Sequence, residues 1–493
     1  MFFWTPPWTA YIVGGVFVAL YFAYRAALPK PLPGIPYNKD AASRLFGDVP
    51  EMMSYVMRTK RIFCWLAAQT TRHQNAIVQV FIKPMSLPWV VHIQFQSADA
   101  RFKNNRNLIN HLMAPTFISQ VSAPELYNSV STLIKLWQVK SDVAQGRCFS
   151  AHGDITYGAL DAIFASSFGL PEAESITLQR LEAVSRWTTP GLPPDATRPV
   201  PFPDSEIPPI FQAVLTLANS MKRATAIKDK FISDKVNEAV QRIKTGDTAA
   251  RSALHSVLLR EKDVAEKEGR APAYHKRAIA DEFLGFMLAG HDTSATAVAW
   301  GVKYLADSPG AQDRLRAALR SAMPHAARDS RAPTYHELVH AQIPYLDAVI
   351  DEVLRLANTH RDTNVLGCRI PRGTDVFLMA NGAGRQRSGK ALSGTWDDDG
   401  IGLFRPERWL VIDPVTGKET YNPMAGPTLA FGLGPRGCFG RRLALMALRI
   451  QFAMIVWHFH LRKTPEEVSG YEAVQRFARE PTQCFVCLEA VTS

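Results

Sequence analysis

The segment Phe431-Gly432-Leu433-Gly434-Pro435-Arg436-Gly437-Cys438-Phe439-Gly440 constrains this chain more than any other stretch. It sets one thiol behind three glycines and ahead of a helix-forming run that contains Ala444. Glycines let a backbone pass close to a flat partner. Arg436 offers a charge to a carboxylate, and a thiolate at the N-terminus of the following helix is stabilised by the helix dipole. A thiolate placed in this way can ligate haem iron.

Two other readings compete. Gly432-x-Gly434-x-x-Gly437 follows the strand-like Thr428-Leu429-Ala430-Phe431 and precedes a helix, as a dinucleotide-binding turn does. Only a short tail follows it, too little for a doubly wound domain, and no acidic residue ends a second strand about 20 positions on. The remaining reading is a glycine-rich turn around a buried, inert cysteine. Chance would bring five such residue types together at these offsets on the order of once in ten thousand chains.

At the other end of the chain, Met1 to Tyr24 carries no charged side chain, and Trp8 to Tyr24 is apolar and long enough to span a bilayer. Trp4 and Trp8 at one end and Tyr21 and Tyr24 at the other suit the two membrane interfaces. The first cations, Arg25 and Lys30, follow the span and place the remainder on the cytosolic side. Pro29, Pro31, Pro33 and Pro36 then read as a stiff linker. The pattern predicts a single transmembrane anchor over residues 1–28 and one large domain over 29–493, with a buried core helix as the bland alternative.

The chain is 493 residues long and 47% hydrophobic, enough for a sizeable core. The net charge of +11 favours an anionic lipid surface or an acidic protein partner. No Lys/Arg block dominates, which argues against nucleic acid. Six cysteines in so long a chain do not make a disulfide framework and fit a reducing cytosolic face. Cys484 and Cys487 have zinc-like spacing but stand in a strand-like run, where positions three apart face opposite ways.

Helical periodicity marks Leu112 to Leu136, Ile210 to Lys244, Ala278 to Asp307 and the segment around Glu352. Strand-like runs fall at Ile77 to Ile82, Val376 to Ala380 and Cys484 to Val491. The fold class is therefore mainly α with a smaller β portion. Thr188 to Pro209 and Asn381 to Gly402 read as irregular connections.

Three further motifs carry chemistry. Ala289-Gly290-His291-Asp292-Thr293-Ser294 puts a charge inside the apolar run Phe283 to Trp300. Its plain reading is a break capped by Asp292, or a threonine bonded back to its own helix. Glu352 and Arg355 stand three apart on one helical face, where an ion pair forms readily. His336-Glu337-Leu338-Val339-His340 matches the zinc-peptidase pattern. There, however, Thr334 and Glu337 make a capping box, and Pro344 ends or bends the helix within a turn.

Taken in order along the chain, the threonine-bearing helix, the Glu352/Arg355 pair, Phe404-Arg405-Pro406-Glu407-Arg408-Trp409 and the cysteine loop resemble the signatures of the cytochrome P-450 family. The resemblance extends from the apolar leader to Val491 and is similar to fungal microsomal members. It implies the cytochrome P-450 fold and haem b (iron protoporphyrin IX), with Cys438 as axial thiolate on the metal, Arg436 on a propionate and Phe431 beside the cofactor. It implies that Glu352, Arg355 and Arg408 form a network supporting the cysteine loop. It also implies that Gly290 allows a local opening of the central helix and that Asp292 and Thr293 relay protons. The activity implied is insertion of one oxygen atom of O2 into an apolar small molecule, as in secondary metabolism. Electrons would come from an NADPH-cytochrome P-450 reductase at the endoplasmic reticulum membrane.

Two segments depart from the family pattern. Between Trp89-Val90-Val91 and Leu112-Met113-Ala114-Pro115-Thr116-Phe117 little more than His92 to Asn105 remains for a helix and a long pocket loop. The family's tryptophan and arginine fall at Arg106 and Asn110, leaving Arg106 or His111 to meet a propionate. Leu356 to Asn364 is also short, with His360 or Arg361 in the place of a further basic residue. A second function class follows, a haem-binding relative without monooxygenase turnover. A membrane-anchored zinc metallopeptidase is the remote third.

Overall fold

The computed structural model describes residues 7–31, 36–59, 65, 68–69, 72–73, 78–82, 89–91, 106–171, 174–187, 198–204, 207–216, 221–357, 402–426, 430–432, 437–475 and 478–491. They fall into two compact units, 7–91 with Gly402, and 106–357 with 403–491.

In the first unit, helix α1 (Pro7–Ala27) presents apolar side chains to the outside, with Phe17 67% and Phe22 65% exposed. Among the described residues, no helix is long and apolar enough to cross a membrane. Helix α2 (Val49–Thr59) follows, and β1 (Val78–Val80) pairs antiparallel with β2 (Trp89–Val91), Val78 opposite Val91. Trp65, Val78 and Val80 form a small core. Buried Asp48 accepts hydrogen bonds from the Phe81 N–H at 2.8 Å and from Asn38 Nδ2 at 2.6 Å, tying the chain before α2 to the end of β1.

The second unit is built mainly from helices. A turn of 3-10 helix, Asn110–Met113, stops at Ala114 because Pro115 has no N–H to continue it. The chain restarts at Pro115 and widens into a π turn, Ile118–Ser122. It then settles into α3 (Ala123–Ala144), which ends at a left-handed Gln145, φ 49°. The helical stretch expected over Leu112 to Leu136 is thus broken at its start and runs eight residues further. Next come β3 (Phe149–Ser150), α4 (His152–Phe168), α5 (Ile176–Ser185), α6 (Pro209–Thr216), α7 (Met221–Lys244) and α8 (Ala253–Lys267). The central helix α9 (Arg277–Ala306) leads to α10 (Pro309–Ala322), α11 (Tyr335–His340) and α12 (Pro344–Ala357). Helix α4 carries no clean apolar stripe because it is buried on several sides, so periodicity does not single it out.

After α12 come the hairpin β4 (Leu410–Ile412) with β5 (Glu419–Tyr421), then α13 (Arg441–His458) and β6 (Phe459–Arg462). The hairpin β7 (Ala473–Gln475) with β8 (Arg479–Pro481) and strand β9 (Phe485–Ala490) close the chain. β9 is the middle of a three-stranded sheet, β3-β9-β6, with Phe149 opposite Val486 and Leu461 opposite Leu488. Mainly α with a smaller sheet portion is what the sequence predicts. The expected strand over Val376 to Ala380 lies outside the described residues.

α9 packs against α4, α12 and α13, and its contacts explain two glycines. A Cβ on Gly301 would lie 2.2 Å from the Phe452 ring, and one on Gly290 would lie 2.7 Å from Ile163 of α4. Helix α9 runs unbroken through Gly290, so this glycine serves helix contact rather than the local opening that the family resemblance implied. Three helices are also pinned by a buried cluster. Asp154 accepts from Lys140 Nζ at 2.7 Å, Arg180 Nε at 3.0 Å and Trp137 Nε1 at 3.1 Å. Asp154 is fully buried, so these donors replace the water it has lost.

Cys148 and Cys487 are joined in a disulfide, a single bond rather than a framework, because the Phe149–Val486 register sets Cys148, just before β3, opposite Cys487 of β9. Cys484, three positions before Cys487, faces the Ala299 carbonyl instead and is buried.

Candidate active site

Cys438 sits where the glycine-rich loop turns into α13. Its N–H donates to the Phe431 carbonyl at 2.7 Å, which closes the loop on itself, and Gly432 takes φ +64°, a left-handed backbone suited to glycine. Gly440 caps α13, and the Ala444 N–H donates to its carbonyl at 2.8 Å. The thiol therefore lies just ahead of a helix N-terminus. Crowding by the surrounding chain holds the thiol above its ordinary pKa, while the Gly440 N–H, the Arg106 and Arg441 charges and the Arg441 N–H favour the thiolate. A bound cation would complete that preference.

Aromatic and cationic groups gather at this loop. The Arg106 guanidinium lies 5.3 Å from the centre of the Phe439 ring and donates to the Gly437 carbonyl at 3.5 Å. Arg441 lies 5.6 Å from the Phe431 ring. Phe286 of α9 meets Phe439 edge to face, centroids 6.0 Å apart, so the central helix and the thiol loop are in contact. Arg436 lies outside the described residues, as do His360, Arg361 and the segment from His92 to Asn105. His111 points elsewhere: its ring pairs with Ser256 Oγ at 3.1 Å and Arg260 at 3.1 Å, and burial with the Arg260 charge lowers its pKa to about 4. Of Arg106 and His111, the two alternatives for one propionate contact, Arg106 is therefore the one at the loop.

Glu352, fully buried, gathers donors from four residues. Arg355 binds it through Nε at 2.8 Å and Nη2 at 2.8 Å, and Arg408 Nε lies 3.4 Å away. The Trp409 indole N–H donates at 2.9 Å and the Arg405 N–H at 2.9 Å. The sequence pointed to Glu352, Arg355 and Arg408. It gave no role to Trp409, whose buried indole N–H needs an acceptor and was the available signal.

Asp292 and Thr293 do not act on each other directly. Neighbouring helical positions diverge by about 100°. The Thr293 hydroxyl donates to the Ala289 carbonyl of its own helix at 2.7 Å. Asp292 Oδ2 is buried without a hydrogen-bond partner in the structure. The residue borders a small cavity with His152, Thr156, Thr296 and Glu480, large enough for about one water molecule.

The zinc-peptidase pattern comes apart on α11. Glu337 completes a capping box with Thr334 and is held by Arg331 at 2.8 Å on each carboxylate oxygen. Those contacts hold its carboxyl at about 2 and leave no general base. Among the described residues, no group of three or more His, Cys, Asp or Glu side chains is arranged to hold a metal.

A porphyrin-bound iron fits the donor set at Cys438. Cys438 is the described free thiol with an exposed side chain, Cys484 being buried and Cys148 and Cys487 being bonded to each other. It stands at a helix N-terminus, and Arg106 supplies a cation beside it for a carboxylate.

The cytochrome P-450 family model matches residues 50–488. A cytochrome P-450 monooxygenase of Fusarium sporotrichioides is 30% identical, covering 96% of this chain and 98% of that protein. One from Pestalotiopsis microspora is 31% identical across 100% of both. In fold, the chain is similar to the crystal structure of a cytochrome P-450 with TM-score 0.64 at 17% identity, covering 87% of this chain and 94% of that one. With the thiol loop, the central helix and the Glu352 network in their places, the chain belongs to the cytochrome P-450 family.

Proposed function

We propose that this chain is a haem-thiolate monooxygenase that inserts one oxygen atom of O2 into an apolar small molecule, the other leaving as water. The observation that carries the reading is Cys438, a free thiol at the junction of a glycine-rich loop and the N-terminus of α13, with α9 in contact through Phe286. Haem b, when bound, would supply the oxygen-activating chemistry, and the Cys438 thiolate would hold its iron. Arg106 and Arg436 would meet its carboxylates, and Phe431 would lie beside it.

The protein's part is positional. Glu352, with Arg355, Arg408 and Trp409, fixes α12 against the 403–409 segment, a rigid support for the thiol loop. Asp292 is the proton carrier at its carboxylate, recharged through water in the cavity shared with His152 and Glu480. Thr293 would have to exchange its hydroxyl's bond to Ala289 for one toward substrate-side water. Electrons would come from an NADPH-cytochrome P-450 reductase, and the net charge of +11 favours an acidic protein partner. The uncharged run from Met1 to Tyr24 and the cations that follow it, Arg25 and Lys30, support a single-pass anchor in the endoplasmic reticulum membrane, with the remainder in the cytosol. Similarity to the fungal cytochrome P-450 monooxygenases supports a setting in secondary metabolism.

The test is the absorption spectrum of the reduced, carbon monoxide-bound protein beside Cys438→Ala. A strongly red-shifted Soret band confined to the wild type supports the reading. Its absence in folded, haem-supplied protein overturns it. A band without product or peroxide on addition of reductase and NADPH would favour the haem-binding relative that does not turn over.

A further inference from the structure

We propose that His336 and His340 form a surface binding site for a borderline divalent transition-metal ion, Zn2+ or Cu2+, separate from the thiol centre and without catalytic function. The two imidazoles stand one helical turn apart on α11, both exposed, with ring centroids 4.2 Å apart and planes 34° from parallel. That is the side-by-side arrangement in which two rings can reach a single ion. The site can take up an ion without moving the core, since the buried side of α11 is Leu338.

The protonation pattern is also set for coordination. His340 Nδ1 lies 2.8 Å from the His336 carbonyl oxygen. A carbonyl can only accept, so Nδ1 carries the hydrogen and Nε2 of the neutral ring keeps its lone pair. A ligating histidine is commonly held this way, its other N–H given to a backbone carbonyl. Glu337 does not compete for the ion, because Arg331 and the Thr334 backbone occupy its carboxylate. With that charge neutralised in place, binding rests on imidazole nitrogen alone. This selects ions that favour nitrogen ligands over Mg2+ or Ca2+. Water fills the remaining positions, consistent with the absence of any group of three or more ligands among the described residues.

Helix α11 is short and held by its ends. The Thr334–Glu337 capping box fixes its start, Tyr127 donates to the Pro333 carbonyl at 2.9 Å and Arg449 to the Ala341 carbonyl at 2.8 Å. The histidines are thus presented on a fixed backbone, and the second imidazole binds intramolecularly. Removing either one should weaken binding on the order of 100-fold.

The test is calorimetric titration of the full-length, haem-loaded, chelator-treated chain with Zn2+ alone, with the thermal midpoint measured in parallel. Wild type should bind the ion and show a midpoint that rises with its concentration. H336A and H340A should each lose both effects, while H325A, altered at another exposed histidine, keeps them. Circular dichroism of each variant before titration shows that it is folded. Absence of binding in the wild type, or equal binding in wild type, H336A and H340A, overturns the proposal. None of these readouts depends on the proposed oxygenation, so the two can fail separately.

Discussion

The Trp409 indole N–H and the Arg355 Nε both donate to the same oxygen of Glu352, Oε2, at 2.9 and 2.8 Å. One buried carboxylate thereby joins α12 to the segment that follows the long connection. Replacing Glu352 by Gln leaves Arg355 and Arg408 facing a neutral amide, and breaking a buried pair in this way costs about 3–5 kcal/mol. Trp409→Phe removes one charge-assisted hydrogen bond while keeping most of the packing, about 1.5–3 kcal/mol. Urea denaturation should rank the proteins wild type, W409F, E352Q in falling stability. Equal midpoints for all three would show that the network carries no stability.

How much of this site was legible from the sequence depended on whether a residue's neighbours were near in the chain. Cys438, its glycines and the helix after it are consecutive, so the thiol's position at a helix start followed directly. Glu352 and Arg355 share a helical turn and could be paired from spacing. The Cys148–Cys487 bond joins positions 339 residues apart and depends on the β3–β9 register, which composition does not contain. Gly290 was read for chemistry because of its motif. Its role came from Ile163, which no local pattern places there. Helix α4, nearly all buried, lacks the amphipathic stripe by which an exposed helix announces itself.

The Gly290–Ile163 contact gives a reciprocal prediction. A methyl group added at Gly290 would lie 2.7 Å from the Ile163 side chain, so Gly290→Ala should destabilise by about 1–3 kcal/mol through overpacking. Ile163→Ala alone leaves a void and costs about 2–5 kcal/mol. The double variant should be more stable than the sum of the two losses implies, since each change relieves the other. Additive losses in thermal or urea unfolding would show that the two side chains do not meet.

His111 makes stability depend on pH in a stated window. Burial, then the Arg260 charge, lowers its folded pKa from 6.5 to about 4, so the folded state holds it neutral. As pH falls from 6.5 toward about 4, the unfolded chain takes up a proton that the folded chain refuses. The His111 contribution is therefore complete above 6.5 and is lost as pH falls through that interval. Burial likewise lowers His255, His291, His458 and His460, which steepen the same decline. Thermal midpoints measured from pH 8 to pH 4 should fall for the wild type and fall less for H111Q. Parallel curves would remove His111 from the account.

Arg106 is the residue on which the altered segment before the Pro115 turn can be judged. Its guanidinium packs on Phe439 at 5.3 Å and reaches the Gly437 carbonyl, so it braces the residues on either side of Cys438. An exposed cation–π contact contributes about 0.5–1 kcal/mol and a hydrogen bond of this kind about as much again. Arg106→Ala should therefore release haem on the order of tenfold faster to an apomyoglobin trap, with a smaller change in global stability. Arg106→Lys keeps the charge but loses the planar fork, so it should recover only part of the retention. Full recovery by lysine would mean that charge alone matters. Unchanged release in Arg106→Ala would mean that the loop is held by Phe286, Arg441 and its own Cys438–Phe431 hydrogen bond without help from this side.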